Sequence, residues 1–313
     1  MTGERDGAPA RVAELLGPFV EADVPLGPLT TYRVGGAAAL FARVEDADEL
    51  ARVAEAVAAT AIDVLVVGKG SNLLVADAGF DGLAVVLGEG FAAIEVDGTT
   101  VHAGAAASLP VVARRTVAAG LTGFEWAVGV PGSIGGGVRM NAGGHGADMA
   151  ASLVRVRLVD LRSGEDGPVP AAALALGYRR SAVAPHQVVV AAELALAAGD
   201  PDRGAEAIAE IVAWRRANQP GGPNAGSVFA NPEGHAAARL IDEAGCKGLR
   251  HGTAEVSTKH ANFIQADDGG RADDVYSLMG EVQDRVLQIT GTALRPETRC
   301  VGFHPNPRLE VEG

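Results

Sequence analysis

Cysteine is nearly absent from this sequence: two thiols, Cys246 and Cys300, stand among 313 residues. They lie in unrelated contexts, with neither a Cys-x-x-Cys pair nor the Cys/His spacing of a zinc site. Free thiols in a reducing compartment, and no metal centre, are expected. The seven histidines show no ligand spacing either. Aromatic residues make up only 4% of the chain, so alanine, valine and leucine carry the apolar load, which suits a core of helices and strands. No run approaches the ~18 apolar residues that a membrane span requires. The N-terminal stretch MTGERDGAPARVAELLG lacks the basic-then-apolar order of a secretory signal. A cytoplasmic protein with no membrane insertion is expected. Basic residues are outnumbered, 26 to 39, for a formal net charge of −13. That deficit argues against nucleic acid as a partner, because such binding neutralises phosphates. Any anionic nucleotide must be drawn by local cations against the overall field.

The common nucleotide fingerprints are missing as well. A strand expected at 62–67 runs into Gly68, Lys69, Gly70, Ser71 and Asn72, but Leu73 occupies the third glycine position of a Rossmann turn. No glycine is followed by Lys-Ser or Lys-Thr, which excludes the Walker A loop, and no G-x-S-x-G makes Ser227 a hydrolase nucleophile.

Glycine is what the chain has in plenty. The stretch 127–146, AVGVPGSIGGGVRMNAGGHG, carries eight glycines in twenty residues. Glycine gives up backbone entropy and offers no side chain to pack, so neither a helix nor a strand is expected there. Two readings stand: a long glycine-rich connection, or a cradle whose amides face a diphosphate. Arg139 and Asn141 add a cation and an amide. Elsewhere, apolar spacing predicts helices at 12–19, 47–60 with Asp46 as N-cap, 109–119, 204–218, 236–244 and 272–288. Strands are expected at 62–67, 83–87, 92–96, 100–103, 154–160, 188–196 and 292–302. The region between 160 and 188 reads as polar turns, and residues 1–10 as a disordered tail.

Singly, the polar candidates have ordinary explanations: Ser227 as a turn cap, Arg179 as a surface ion pair, Glu297 as a solvated carboxylate. Their order is more specific. It runs Thr30 and Thr31 with Gly35-Gly36, then 68–72, then Gly129-Val130-Pro131-Gly132 with Met140-Asn141-Ala142-Gly143. Gly177-Tyr178-Arg179 follows, then Ala225-Gly226-Ser227-Val228-Phe229 with Asn231, then Lys259-His260-Ala261-Asn262-Phe263 and Pro296-Glu297. In this order the chain resembles the UDP-N-acetylenolpyruvoylglucosamine reductase family, from about residue 29 to 303.

The resemblance implies an α+β protein. It would pair a two-subdomain FAD-binding fold of the vanillyl-alcohol-oxidase type with a smaller α+β substrate domain. The implied layout is a flexible 1–20, a cofactor domain at 21–200 divided near residue 88, and a substrate domain at 201–313. FAD is the implied bound cofactor and NADPH the implied co-substrate. The implied reaction reduces the enolpyruvyl ether of UDP-N-acetylglucosamine in peptidoglycan synthesis. Arg179, Ser227 and Glu297 then match the catalytic set. Arg33, Gly68, Lys69, Gly70, Ser71, Asn72, Gly129, Pro131, Gly132, Ser133, Gly136, Gly137, Asn141 and Gly143 fall on the cofactor, and Tyr178, Asn231, Lys259 and Arg299 are candidates for the substrate. A monomer or weak oligomer is expected. The chain departs from the family where position 230 is alanine rather than lysine. With only Tyr32, Tyr178 and Tyr276 it also lacks a lid tyrosine, which implies the shorter subclass. A flavin-dependent oxidase of the same superfamily and a non-catalytic nucleotide-binding protein are the alternatives. The set of three disfavours both.

Overall fold

A computed structural model of the chain describes residues 7–304. Its packing divides into two units, and neither is one continuous stretch. The first gathers 7–22, 39–69 and 81–215; the second gathers 23–38, 70–80 and 216–304. This division does not fall at residue 200. Two early excursions belong with the C-terminal part, because Tyr32, Val34 and Leu74 bury their side chains in one core with Val228, Ile241 and Val282. The expected tail at 1–10 lies partly outside the described residues, and Ala8–Leu16 is helical.

In the first unit α1 (Ala8–Leu16) and α2 (Ala47–Thr60) supply Val12, Leu16, Leu50, Val53 and Val57 to a core with Leu40, Val44, Leu83 and Val85. The expected helix at 12–19 thus starts earlier, and Gly17, at φ +56°, ends it. The residues expected at α2 form it. Asp46 Oδ1 accepts from Glu49 N at 2.9 Å, and Glu49 Oε2 accepts from Glu45 N at 2.6 Å, so acceptors at both ends of one turn satisfy free amides. These helices accompany a four-stranded sheet in the order Glu21–Pro25, Ala37–Val44, Phe80–Leu87, Val64–Val66.

A five-stranded sheet follows, ordered Asp166–Pro170, Leu153–Asp160, Gln187–Ala195, Thr100–Gly104, Ile94–Asp97. The strand Asp166–Pro170 falls in the region expected as polar turns. It lies at the sheet edge, where proline's missing N–H breaks no ladder. Around this sheet stand α3 (Leu109–Ala118), α4 (Ile134–Arg139) and α5 (Pro201–Asn218).

The glycine stretch corrects its sequence reading, for α4 is a helix with three consecutive glycines inside it. Tertiary packing overrides the propensity. A Cβ on Gly135 would sit 3.1 Å from Ala105 Cβ, and one on Gly137 2.9 Å from Met149 Cε. The amides of Ile134 and Gly135 bond the carbonyls of Ala107 and Ala105 at 2.9 Å each, and Ser133 Oγ caps the helix by accepting from Gly136 N at 3.3 Å.

In the second unit α6 (Ala237–Glu243) and α7 (Ala272–Thr290) pack with the sheet Arg250–His251, Ala254–Val256, Ile264–Ala266. Gly245, in a left-handed conformation, ends α6 as expected. The long strand expected at 292–302 shortens to Arg299–Val301, parallel to Leu73–Val75. Residues 295–298 bond instead to the segment that carries Ser227.

Candidate functional site

In the first unit the turn after Val64–Val66 meets the glycine stretch. A Cβ on Gly68 would lie 2.7 Å from Ser133 Oγ, so the two loops touch here and a side chain would have to displace that hydroxyl. Gly68, Lys69 and Gly136 are exposed there. Among the described residues the amides of Lys69, Gly70 and Ser71 donate to no group of the chain. Amides that face outward, beside a glycine surface without side chains, suit a diphosphate. Pro131 is exposed, while Gly132 and Ser133 are buried and bond towards the start of α3 through Leu109 N to Gly132 O at 2.9 Å. Gly129 O accepts from Arg215 Nη1 of α5. Burial lowers the pKa of that guanidinium. Arg215 was not among the expected residues; a lone arginine in a helix gives no sequence signal.

The hairpin at 143–148 and the turn at 177–180 form the second feature. The Asn141 side chain is buried and fully engaged. Its Nδ2 donates to Gly177 O and to Asp148 Oδ2, each at 3.0 Å, and its Oδ1 accepts from Ala150 N at 2.9 Å. A Cβ on Gly143 would strike Asp148 Cβ at 2.5 Å. Arg179 Nη2 donates to Gly143 O at 2.9 Å, and its guanidinium lies 5.1 Å from the Tyr178 ring centroid. Arg179 itself has φ +57°, a conformation sparsely used outside glycine and found where structure overrides local preference. Tyr178 is half exposed, whereas Tyr32 is buried and Tyr276 stacks on Phe303.

The second unit brings Ser227 and Glu297 together across seventy positions of sequence. Glu297 N donates to Val228 O at 2.7 Å, and Ala230 N to Arg295 O at 2.9 Å. Asn72 bonds to this segment: its Nδ2 donates to Glu297 O at 2.9 Å, and its carbonyl accepts from Arg299 N at 3.0 Å. On the other side of the Ser227 segment stands Asn262, which appeared in the sequence only as part of a motif. Gly70, at φ +59°, lies against Leu29 O, and exposed Arg33 follows in a turn where its N donates to Thr30 Oγ1 at 3.1 Å.

The four substrate candidates differ in their engagement. Asn231 Oδ1 accepts from Ala237 N at 2.9 Å and so caps α6. Lys259 Nζ donates to Arg216 O at 2.6 Å. Tyr178 is exposed beside Arg179. Arg299 is half-buried, burial lowers its pKa, and no carboxylate pairs with it among the described residues. No group of three His, Cys, Asp or Glu among the described residues could hold a metal ion, and no described helix is long and apolar enough to cross a membrane.

Comparison with known proteins decides the family. Residues 217–301 match the UDP-N-acetylenolpyruvoylglucosamine reductase C-terminal domain, and residues 38–165 match an FAD binding domain. A UDP-N-acetylenolpyruvoylglucosamine reductase of Acidiphilium cryptum is 45% identical over 285 residues, covering 90% of this chain and 91% of its own. The chain belongs to the UDP-N-acetylenolpyruvoylglucosamine reductase family. A relative from Paramagnetospirillum magneticum is 44% identical over the same shares. The crystal structure of the Thermus caldophilus reductase superposes with a TM-score of 0.80 at 35% identity, covering 90% of this chain and 98% of that one. As a member of this reductase family the chain is an FAD-dependent oxidoreductase of peptidoglycan synthesis, with the α+β fold and FAD-binding domain expected from its motifs. Gly68 and Lys69, exposed beside the glycine stretch at 129–137, have the chemistry that a diphosphate such as that of FAD asks for.

Proposed function

We propose that the chain uses NADPH to reduce the enolpyruvyl ether of UDP-N-acetylglucosamine to UDP-N-acetylmuramate, with Arg179, Ser227 and Glu297 as its catalytic residues. The observation that carries this reading is the bond from Glu297 N to Val228 O at 2.7 Å, which pairs the backbone at Glu297 with that of the residue after Ser227.

FAD held at the glycine-rich loops would, when reduced, supply the hydride that the terminal methylene of the enol ether takes up. Charge then develops on the neighbouring carbon and spreads into the substrate carboxylate. Arg179 stabilises that carboxylate as the charge grows. Ser227 delivers its hydroxyl proton to the carbon, and Glu297 supports the transfer by hydrogen bonding. The loops at 68–72 and 129–137 hold the diphosphate of FAD, with Arg33, Asn141 and Gly143 along the cofactor. Asn141 contributes there through its backbone, since its side chain is engaged within the protein. Tyr178, Asn231, Lys259 and Arg299 are the candidates for contact with the sugar nucleotide. The cofactor domain draws on the first unit and the substrate domain on 216–301. The protein acts in the cytoplasm as a monomer or weak oligomer.

Purified protein is expected to be yellow, to bleach with NADPH without oxygen, and to recolour when the enolpyruvyl sugar nucleotide is added. Ser227→Ala should leave bleaching nearly intact and slow recolouring by at least about 10²-fold, the usual scale of a positioned proton donor. Equal loss of both steps removes Ser227 from the role of proton donor.

A further inference from the structure

Ser227 lies at the start of a short segment, 227–230, that bends at Val228 and forms an isolated antiparallel bridge between Phe229 and Pro296. One edge of this run is held by 295–298, through Glu297 N and Thr298 N, which donate to Val228 O at 2.7 and 3.3 Å, and through Ala230 N, which donates to Arg295 O. The other edge faces the loop between the strands Ala254–Val256 and Ile264–Ala266. There a single residue takes the place of a neighbouring strand. Asn262 Oδ1 accepts from Phe229 N at 3.0 Å, Asn262 Nδ2 donates to Phe229 O at 2.8 Å, and the Asn262 carbonyl accepts from Val228 N at 2.9 Å. Asn262 is 4% exposed, and Val228 and Phe229 are 0% and 1% exposed, so water does not compete for these bonds.

This arrangement fixes register. A carboxamide has one acceptor and one donor face, and here both are matched to the two backbone groups of one residue. A slip of one position would break this match and displace Ser227 along the segment. It would also part Glu297 N from Val228 O. We propose that Asn262 is a positioning residue: its side-chain clamp on Phe229 sets the register of Ser227 against Glu297 and so aims the serine proton at the substrate carbon. The proposal rests on the reading of Ser227 as proton donor. Asn262 itself touches neither substrate nor cofactor in this role.

The test uses the flavin-loaded enzyme and follows two half-reactions by flavin absorbance: bleaching by NADPH, and recolouring by the enolpyruvyl sugar nucleotide. Asn262→Ala removes both side-chain bonds, and Asn262→Asp keeps the acceptor for Phe229 N while losing the donor. Each is expected to bleach within twofold of the unchanged enzyme and to recolour at least tenfold more slowly. If Asn262→Ala does not fold, Asn262→Asp decides. Combined with Ser227→Ala, the Asn262 change should add less than twofold to the serine defect, because a misaimed donor matters only while the donor is present. Unchanged recolouring overturns the proposal. So does a defect that multiplies in full on the Ser227→Ala background, or bleaching that falls in step with recolouring, since either marks a merely structural role. If the unchanged enzyme is not recoloured by the sugar nucleotide at all, the reductase reading fails instead, and the two failures are told apart.

Discussion

At the scale of single residues, close approach and burial explain more than local preference does. A Cβ at Gly36 would lie 2.4 Å from Asp77 O, 2.6 Å from Gly79 N and 2.8 Å from Gly79 Cα. All three atoms are backbone and none can swing aside. Gly36→Ala is therefore expected to destabilise by about 1–3 kcal/mol or more, read as a lowered urea midpoint at constant slope. The thiols make the opposite case. Cys246 is fully buried, with its pKa raised by burial, and burial pushes Cys300 up to about 12. At pH 8 the Cys300 thiolate fraction is then about one in ten thousand, and the thiolate is the nucleophile. Cys246 should not react with a thiol reagent until the chain is unfolded, and half-buried Cys300 should react far more slowly in the native protein than in the unfolded chain. Rapid labelling of Cys246 in the native protein would contradict its burial.

At the scale of elements, helix ends show what a sequence can and cannot say. Asp46 and Glu49 stand three residues apart before an apolar stripe, and the turn they close was legible. The start of α7 was not, because its cap comes from Asp77: Oδ1 accepts from Ala272 N at 2.9 Å and Oδ2 from Asp273 N at 3.3 Å. Asp46→Ala and Asp77→Ala are each expected to cost about 1 kcal/mol. Hydrogen exchange should localise the first to α2 and the second to α7. The catalytic candidates divide in the same way. Arg179, Ser227 and Glu297 could be named from motifs, while the contacts of Asn72 and Asn262 with residues 225 and 33 positions away could not. A glycine-rich helix was misread because its packing partners, Ala105 and Met149, lie outside any local window.

At the scale of the whole molecule, acid sensitivity follows from carboxylates held by the fold. Asp274 accepts from Thr253 N and Thr253 Oγ1 at 2.8 Å each, and the backbone bond chiefly lowers its pKa below 3.8. A depressed pKa favours the folded chain above the unfolded value, and that contribution disappears as pH falls through the folded one. Stability should thus decline below about pH 4. Asp274→Asn should flatten that acid limb in urea titrations at a series of pH values. A variant whose decline matches the unchanged protein would remove Asp274 from the account.

The sequence by itself determined the family and the cast. Its missing fingerprints argued against the common nucleotide folds, and its ordered motifs named candidates for the cofactor loops and for catalysis, since side-chain chemistry and spacing travel with the chain. Only the tertiary structure decided that the glycine stretch holds a helix, that 23–38 and 70–80 pack with the C-terminal part, and that an asparagine stands in for a strand beside Ser227. Each of these depends on which distant groups meet to bury apolar surface and satisfy backbone amides. No window of sequence contains both partners of such a contact.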